Sequence, residues 1–119
     1  MRKQSYEEEA KKMIHTITTF EKITLIEQDK NGIYVLPYPD FGDIRCVGYY
    51  DTIEEALSAL YHNANLIHDG TNDYCIIEEY GKGIFTNSTN RYLFKWDEDK
   101  YVQIDEPITL NKVTNFALG

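Results

Sequence analysis

The sequence predicts an α+β fold, in which a mostly antiparallel sheet of five or six strands packs against one or two helices. Two observations lead to this prediction. Several short runs alternate apolar and polar residues with a period of about two, which is typical of strands with one buried face. Between two of these runs lies a stretch with the roughly 3.6-residue period of an amphipathic helix, and a helix-capping motif precedes it.

The helix that follows residue 52 is the best-specified element. Thr52 is placed to cap it, and Glu55 can return a hydrogen bond to the cap, so the two form a capping box. At about 100° per residue the apolar side chains fall on one stripe: Ile53, Ala56, Leu57, Leu60, Ala64 and Ile67. The opposite stripe is polar: Glu54, Glu55, Ser58, His62 and Asn65. We expect the first stripe to pack and the second to face water.

A second amphipathic pattern predicts an N-terminal helix within residues 1–20, from about residue 6 to residue 20. Ser5 and Glu8 fit another capping box. An apolar stripe follows: Tyr6, Ala10, Met13, Ile14, Ile17 and Phe20. The β-branched run from Thr16 to Thr19 lowers the intrinsic helix propensity, so this helix would depend on packing beside the first helix or at a sheet edge.

Runs of alternating residues predict the strands. Asn31-Gly32 is a strong hairpin signal between Lys22–Gln28 and Ile33–Leu36. The further strands are predicted at Ile44–Tyr50, Asp73–Tyr80, Arg91–Trp96 and Tyr101–Asp105, with a short piece at Ile84–Thr86. Alternation places Tyr74, Ile76 and Glu78 on one face and Cys75, Ile77 and Glu79 on the other, and it groups Tyr92, Phe94 and Trp96 on one side.

The 119 residues fit one domain, 1–119, with a partly ordered tail at 108–119. Cys46 and Cys75 lie in apolar runs without a paired spacing, which favours buried free thiols in a reducing compartment; a disulfide between neighbouring strands is the alternative. No run approaches the roughly 20 apolar residues of a membrane span, and no signal-peptide core is present near the start. We therefore expect a cytoplasmic protein without a membrane partner.

Acidic residues outnumber basic ones by 20 to 12, and the formal charge is −8. Direct binding to nucleic acid is disfavoured, since that needs a basic surface. Between Cys46 and Gly81 there is no Lys or Arg. The same stretch holds seven acids: Asp51, Glu54, Glu55, Asp69, Asp73, Glu78 and Glu79.

No catalytic, metal-binding or cofactor-binding pattern stands out. Glu78 and Glu79 point to opposite faces of a strand, and Glu55 belongs to the helix cap, so paired-carboxylate catalysis is disfavoured. His62 and His68 are six residues apart, which does not place them on one helix face as metal ligands. We expect a non-enzyme without cofactor. Tyr38 and Phe41, in a Pro-Tyr-Pro-Asp-Phe loop, are candidate exposed anchors for a protein partner.

From Ile33 onward the chain resembles a loose group of small uncharacterised acidic α+β proteins from gut bacteria and their phages. The blocks that carry the resemblance are IYVLPY, DIRCVGYYDTIEEAL, NANLIHD, NDYCIIEEYGKGIF, RYLFKW and YVQIDEP. Related sequences tend to have Asn-Ala-Cys where this chain has Asn63-Ala64-Asn65, so a thiol-based role is not implied at that point. The group carries no agreed activity, but a phage origin would favour inhibitors that occupy the basic nucleic-acid channel of a host defence enzyme, as some anti-CRISPR proteins do.

The leading hypothesis is therefore an acidic interaction protein that docks on a basic host protein surface. Its partner-binding residues would be Glu54, Glu55, Glu78 and Glu79, with Asp97, Glu98 and Asp99 as a second cluster. The alternative is a housekeeping or structural module that forms a homodimer through an unpaired sheet edge or the N-terminal helix, with acidity serving solubility.

Overall fold

An antiparallel sheet forms the centre of the part of the chain that the computed structural model describes, which is residues 13–23, 40–83, 87–107, 110, 113 and 115–118. Its strands are β1 (Ile14–Phe20), β2 (Ile44–Tyr50), β3 (Tyr74–Tyr80), β4 (Ser88–Asp97) and β5 (Lys100–Ile104). They lie in the order β2-β1-β3-β4-β5. Two helices, α1 (Ile53–His62) and α2 (Ala64–His68), connect β2 to β3. The predicted α+β fold, with a mostly antiparallel sheet of five or six strands and one or two helices, is confirmed: the described residues form five antiparallel strands and two helices.

The prediction of a helix up to residue 20 is wrong over Ile14–Phe20, which form β1. This strand pairs with β2 on one side and β3 on the other, and residues 15–20 are buried. The β-branched residues from Thr16 to Thr19 suit an extended backbone that is packed on both faces. The spacing of Ile14, Ile17 and Phe20 is that of a helix, but the pairing of this segment with two strands determines its conformation. Residues 6–12 of that prediction lie outside the described residues.

The other strand predictions agree closely with the structure. β2 has the predicted bounds, β3 begins one residue later than predicted, and β4 is longer at both ends. Lys22 and Ile23 are not in a strand, and the rest of the predicted hairpin, at 24–28 and 33–36, lies outside the described residues, as does the predicted strand at 84–86.

The helical layer begins as predicted but is divided into two segments. Thr52 Oγ1 accepts a hydrogen bond from the Glu55 amide at 3.2 Å, and the Glu55 carboxylate accepts one from the Thr52 hydroxyl at 3.2 Å. α1 ends at Asn63, whose amide side chain donates to Ala59 O at 2.8 Å. α2 ends at Asp69, which has a left-handed backbone with φ 49°. Among the described residues no helix is long and apolar enough to cross a membrane.

The first core lies between the helices and the sheet. It consists of Ile17, Ala56, Leu60, Ala64, Cys75, Ile77, Phe94 and Tyr101. Half-buried residues surround it, among them Ile53, Leu57, Ile67, Tyr92 and Trp96. The predicted apolar stripe of the helix and the predicted aromatic face of β4 therefore meet in this core.

The second core lies on the opposite face of the sheet, where C-terminal residues cover it. Its members are Phe20, Phe41, Ile76, Leu93, Leu110 and Phe116. The Phe20 ring stacks on Phe116 at 5.3 Å and on Tyr74 at 5.4 Å between ring centroids. Within the predicted partly ordered tail, the described residues thus belong to the fold.

Two charged side chains hold the tail against the sheet. Glu78 is fully buried and accepts the backbone N–H groups of Phe116 and Ala117, each at 3.0 Å. Arg91, its register partner on β4, donates to the carbonyl oxygens of Val113 and Leu110 and forms an ion pair with Glu106. Burial raises the pKa of Glu78, while the two amide hydrogen bonds oppose that shift.

Both cysteines are free thiols, so the alternative of a disulfide between them is excluded. Cys75 is fully buried in the first core, as expected, and burial raises the pKa of its thiol. The expectation that Cys46 is also buried is wrong, because it lies on β2 at the edge of the described sheet, where most side chains are exposed.

Candidate interaction site

Carboxylates gather where β2 meets α1, and we call this group, Asp51, Glu54, Glu55 and Glu79, the helix-start cluster. Glu54 and Glu55 are exposed in the first turn of α1. The positive end of a helix dipole stabilises acidic groups there, which gives both residues a structural role as well. Asp51 immediately precedes the cap and is also exposed.

Glu79 joins this cluster from β3 and is largely held by hydrogen bonds. It accepts from Thr89 Oγ1 at 2.8 Å and from Asn90 Nδ2 at 3.0 Å, and its second oxygen lies 2.9 Å from His15 Nε2. The hydrogen bond from Thr89, followed by those from Asn90 and His15, lowers the pKa of Glu79. The Glu79 carboxylate therefore stays ionised at neutral pH, with only a fifth of its side chain exposed.

A cleft of about 450 Å³ brings the helix-start cluster together. Its lining includes Asp51, Glu54 and Glu79, together with His15 of β1 and Met13, which immediately precedes this strand. His15 is buried and turns one ring nitrogen to Glu79. This pairing orients the carboxylate, and the cleft presents negative charge to an incoming cationic group.

A second group of carboxylates lies on the turn between β4 and β5, and we call it the turn cluster: Asp97, Glu98 and Asp99. All are exposed, and the turn is closed by a hydrogen bond from the Asp99 amide to Asp97 O at 2.7 Å. Asp73 lies beside them, because its carbonyl accepts the Trp96 amide at 2.7 Å. The predicted turn residues thus form one acidic tip.

The two clusters lie at opposite ends of the sheet. Asp73 precedes the first residue of β3 and Glu79 is near its last, and a strand of seven residues spans roughly 20 Å. A partner that contacts both clusters must therefore carry basic groups over a comparable distance.

Two of the predicted partner-binding residues are not on the surface. Glu78 is 0% exposed and binds the tail, and Phe41 is 6% exposed and packs edge-on against Phe20 and Phe116. The prediction that they form an exposed acidic face and an exposed anchor is wrong, because the C-terminal residues cover that side of the sheet. Tyr38 lies outside the described residues.

The histidines are engaged with neighbouring side chains. His68 stacks on Trp96 with 4.0 Å between ring centroids, and its Nε2 lies 2.9 Å from the Asp73 carboxylate. His62 is exposed and lies 2.7 Å from Ser58 O through Nδ1. No three His, Cys, Asp or Glu side chains in the described ranges are placed to hold a metal ion.

The contacts of His15 and Arg91 cannot be predicted from the sequence pattern. His15 lies opposite Glu79 only because β1 pairs with β3. Arg91 meets Val113 and Leu110 only because C-terminal residues pack beside β4. Local patterns carry no signal for contacts between residues so far apart in the chain.

Comparisons with protein-family models, curated proteins and solved structures found no match for this chain.

Proposed function

We propose that the chain is a non-enzymatic interaction protein, encoded by a phage or mobile element, that inhibits a host nucleic-acid-binding defence protein by docking on its basic surface. The observation that carries this proposal is the placement of exposed carboxylates at two ends of the sheet. The helix-start cluster belongs to residues 46–81, which include both helices and β3 and contain no Lys or Arg. The turn cluster lies near the opposite end of β3, with Lys100 as the register partner of Asp97.

Exposed carboxylates of this kind act mainly on the rate of association. A surface of one sign attracts a basic partner over a distance set by the ionic strength, about 8–10 Å at 0.1–0.15 M salt. A protein channel that binds nucleic acid is lined by a row of Lys and Arg side chains along its length. Two separated acidic clusters could bind two positions of such a row. The inhibitor would compete with nucleic acid for these groups.

The proposal is tested with the full chain as bait in a lysate of a bacterial host, followed by binding measurements with the purified partner. We expect a nucleic-acid-binding protein, a steep loss of affinity between 50 and 200 mM salt of about tenfold or more, and competition by an oligonucleotide. Binding that is indifferent to salt and to oligonucleotide contradicts the proposal.

Charge variants locate the docking surface. Glu54→Lys with Glu55→Gln changes the charge of the helix start and keeps a side-chain acceptor for Thr52. Asp97→Lys with Asp99→Lys changes the charge of the turn cluster. Asp43→Lys is a control for charge reversal elsewhere on the surface, because Asp43 is exposed and outside both clusters. We expect the cluster variants to slow association about tenfold, and the control to leave it nearly unchanged.

A second candidate, a housekeeping or structural homodimer, is supported by the outer strand β2. Ile44, Val47 and Tyr49 are exposed large apolar side chains on this strand, which is an edge of the described sheet. Exposed apolar edge strands invite pairing with another strand. Light scattering after size exclusion distinguishes the candidates: a stable dimer that Val47→Lys dissociates favours this one, whereas a monomer favours the docking inhibitor.

A further inference from the structure

An open groove lies between the helices and the β2 side of the sheet, away from both acidic clusters. α1 contacts β1, β2 and β5, and α2 contacts β5. The groove has a volume of about 520 Å³. Small-molecule sites in proteins have volumes of roughly 300–1,000 Å³. We call it the Gly48 groove, after the residue at its sheet wall.

Gly48 leaves space in this groove that a side chain would fill. It lies opposite Ile17 in the β1–β2 pairing, next to an irregularity in the register. A Cβ atom added at Gly48 would meet only the Tyr50 ring, at an ordinary contact distance of 3.8 Å. The backbone there is not left-handed, so a larger residue is compatible with the strand. The backbone conformation at residue 48 therefore does not require glycine, and the absence of a side chain there leaves the groove open.

The rims of the Gly48 groove are apolar. Val47, on the sheet side, is 45% exposed, and Leu66, on the helix side, is 78% exposed. Ala59 and Ile67 line the interior and are half-buried. An apolar group placed between these side chains would remove their surface from water, at about 25 cal/mol for each Å² buried. The occupant therefore has an apolar body.

The two walls of the groove carry opposite polarity. Arg45 lies on the sheet wall and is exposed, and its guanidinium can donate two parallel hydrogen bonds to a carboxylate. Asp69 lies on the helix wall and is exposed. Asn63 and Asn72 also line the groove, and their amide groups donate to Ala59 O and Ile67 O, which leaves each side-chain oxygen as an acceptor. The helix wall thus suits a cationic hydrogen-bond donor, and the sheet wall suits an anionic acceptor.

We propose that the Gly48 groove binds a zwitterionic apolar dipeptide, with its carboxylate on Arg45, its ammonium group on the Asp69 wall and an apolar side chain in the space beside Gly48. Two extended residues span about 7 Å, so the two charged ends of a dipeptide are separated and can meet different walls. A doubly charged anion is disfavoured, because Asp69 would repel it. This binding is independent of the docking of the acidic clusters on a basic protein.

The test is a titration of the full chain with the dipeptide leucyl-phenylalanine, followed by calorimetry or NMR. We expect saturable binding with a Kd of about 10 µM to 1 mM. N-acetyl-leucyl-phenylalanine lacks the ammonium group and leucyl-phenylalaninamide lacks the carboxylate, and each should bind about tenfold or more weakly. No saturable binding, or equal binding of either blocked dipeptide, overturns the proposal.

Variants of the chain assign each charge to its wall. In Arg45→Gln the free dipeptide should lose about tenfold in affinity and bind as weakly as its amide, because the partner of the carboxylate is gone. Asp69→Asn keeps a residue type that tolerates a left-handed backbone. In this variant the free and the acetylated dipeptide should bind with equal affinity. Lys95→Gln is the control, since Lys95 is exposed but does not line the groove. Unchanged ratios in Arg45→Gln and Asp69→Asn overturn the assignment.

Filling the groove provides a separate readout. Gly48→Leu should abolish binding, and Gly48→Ala should weaken it less, while circular dichroism and cooperative unfolding show that each variant is folded. Gly48→Ala keeps the test valid if the larger residue disturbs β2. Full binding by a folded Gly48→Leu overturns the proposed position of the ligand.

Discussion

Glu78 and Glu79 are neighbours on β3 and have the same side chain, yet they meet opposite environments. Glu79 faces the helix side, where hydroxyl, amide and imidazole groups lower its pKa. Glu78 faces the other side, where burial raises its pKa although two backbone amides bind it. Alternation along a strand explains the separation, and the tail explains the difference in burial.

The raised pKa of Glu78 predicts a pH dependence of stability. In the folded state this carboxyl group binds a proton more readily than in the unfolded chain, so its contribution to stability is fully present below the unfolded pKa of about 4.5. The contribution is lost as the pH rises through the higher folded pKa. We therefore expect the free energy of unfolding of the wild type, relative to Glu78→Gln, to increase as the pH falls from 7 toward 4.5.

Urea denaturation of both proteins across this pH range measures the difference directly. The comparison cancels the titration of other carboxyl groups, because these are shared by the two chains. A difference that is constant, or that moves in favour of the variant at low pH, would contradict burial as the dominant effect on Glu78.

The turn between β4 and β5 combines three exposed carboxylates with a conformational cost. Glu98 has φ 60°, a left-handed backbone that glycine adopts more readily than residues with a Cβ atom. The same turn carries the three carboxylates of the turn cluster. A glutamate at this position is consistent with retention of charge at the tip at the expense of some stability.

We expect Glu98→Gly to stabilise the chain by about 0.5–1 kcal/mol, since the strained backbone is relieved. Asp99→Gly is the matched control: it removes the same charge at a residue without positive φ and should be neutral or destabilising. Thermal unfolding of both variants at high salt, where charge effects are screened, measures the conformational contribution. Equal effects of the two substitutions under these conditions would contradict a stability cost from the backbone conformation of Glu98.

At the scale of the whole fold, the described residues form three layers, since the helices cover one face of the sheet and C-terminal residues cover part of the other. The second core depends on residues from both ends of the chain, because Phe20 on β1 stacks on Phe116. Arg91 and Glu78 satisfy backbone groups of the tail as it crosses the sheet. The described residues of the tail are therefore packed against the sheet and hydrogen-bonded to it.

Phe116→Ala should destabilise the chain by about 3–5 kcal/mol, because it leaves a cavity against Phe20 and Phe41. Leu118→Ala, two residues further on, changes a side chain that is about half exposed and should cost less than about 1 kcal/mol. Denaturant unfolding of the two variants tests the packing of the tail. Similar small losses would show that the second core does not contribute to global stability.

Local patterns predicted the elements whose sequence carries its own boundary signals. Thr52 and Glu55 mark the start of α1, and alternation in Ile44–Tyr50 and Asp73–Tyr80 marks strands within one residue of their observed bounds. The exposed part of the candidate site followed from the same patterns: Glu54 on the polar stripe of α1, and Asp97, Glu98 and Asp99 on a turn. These features depend on neighbours in the sequence, so the sequence alone is sufficient for them.

Only the tertiary structure decided the elements whose environment comes from distant parts of the chain. Ile14–Phe20 has a spacing compatible with a helix, and its identity as β1 depends on backbone hydrogen bonds to β2 and β3 on either side. Glu78 and Phe41 are buried because the tail lies over them, and the Gly48 groove is lined by residues of β1, β2 and the helical segment, which are far apart in the chain. The sequence by itself determined capping, alternation and charge, which are local. Burial and pairing were decided by contacts between residues far apart in the chain, since the free energy of those contacts outweighs local propensity.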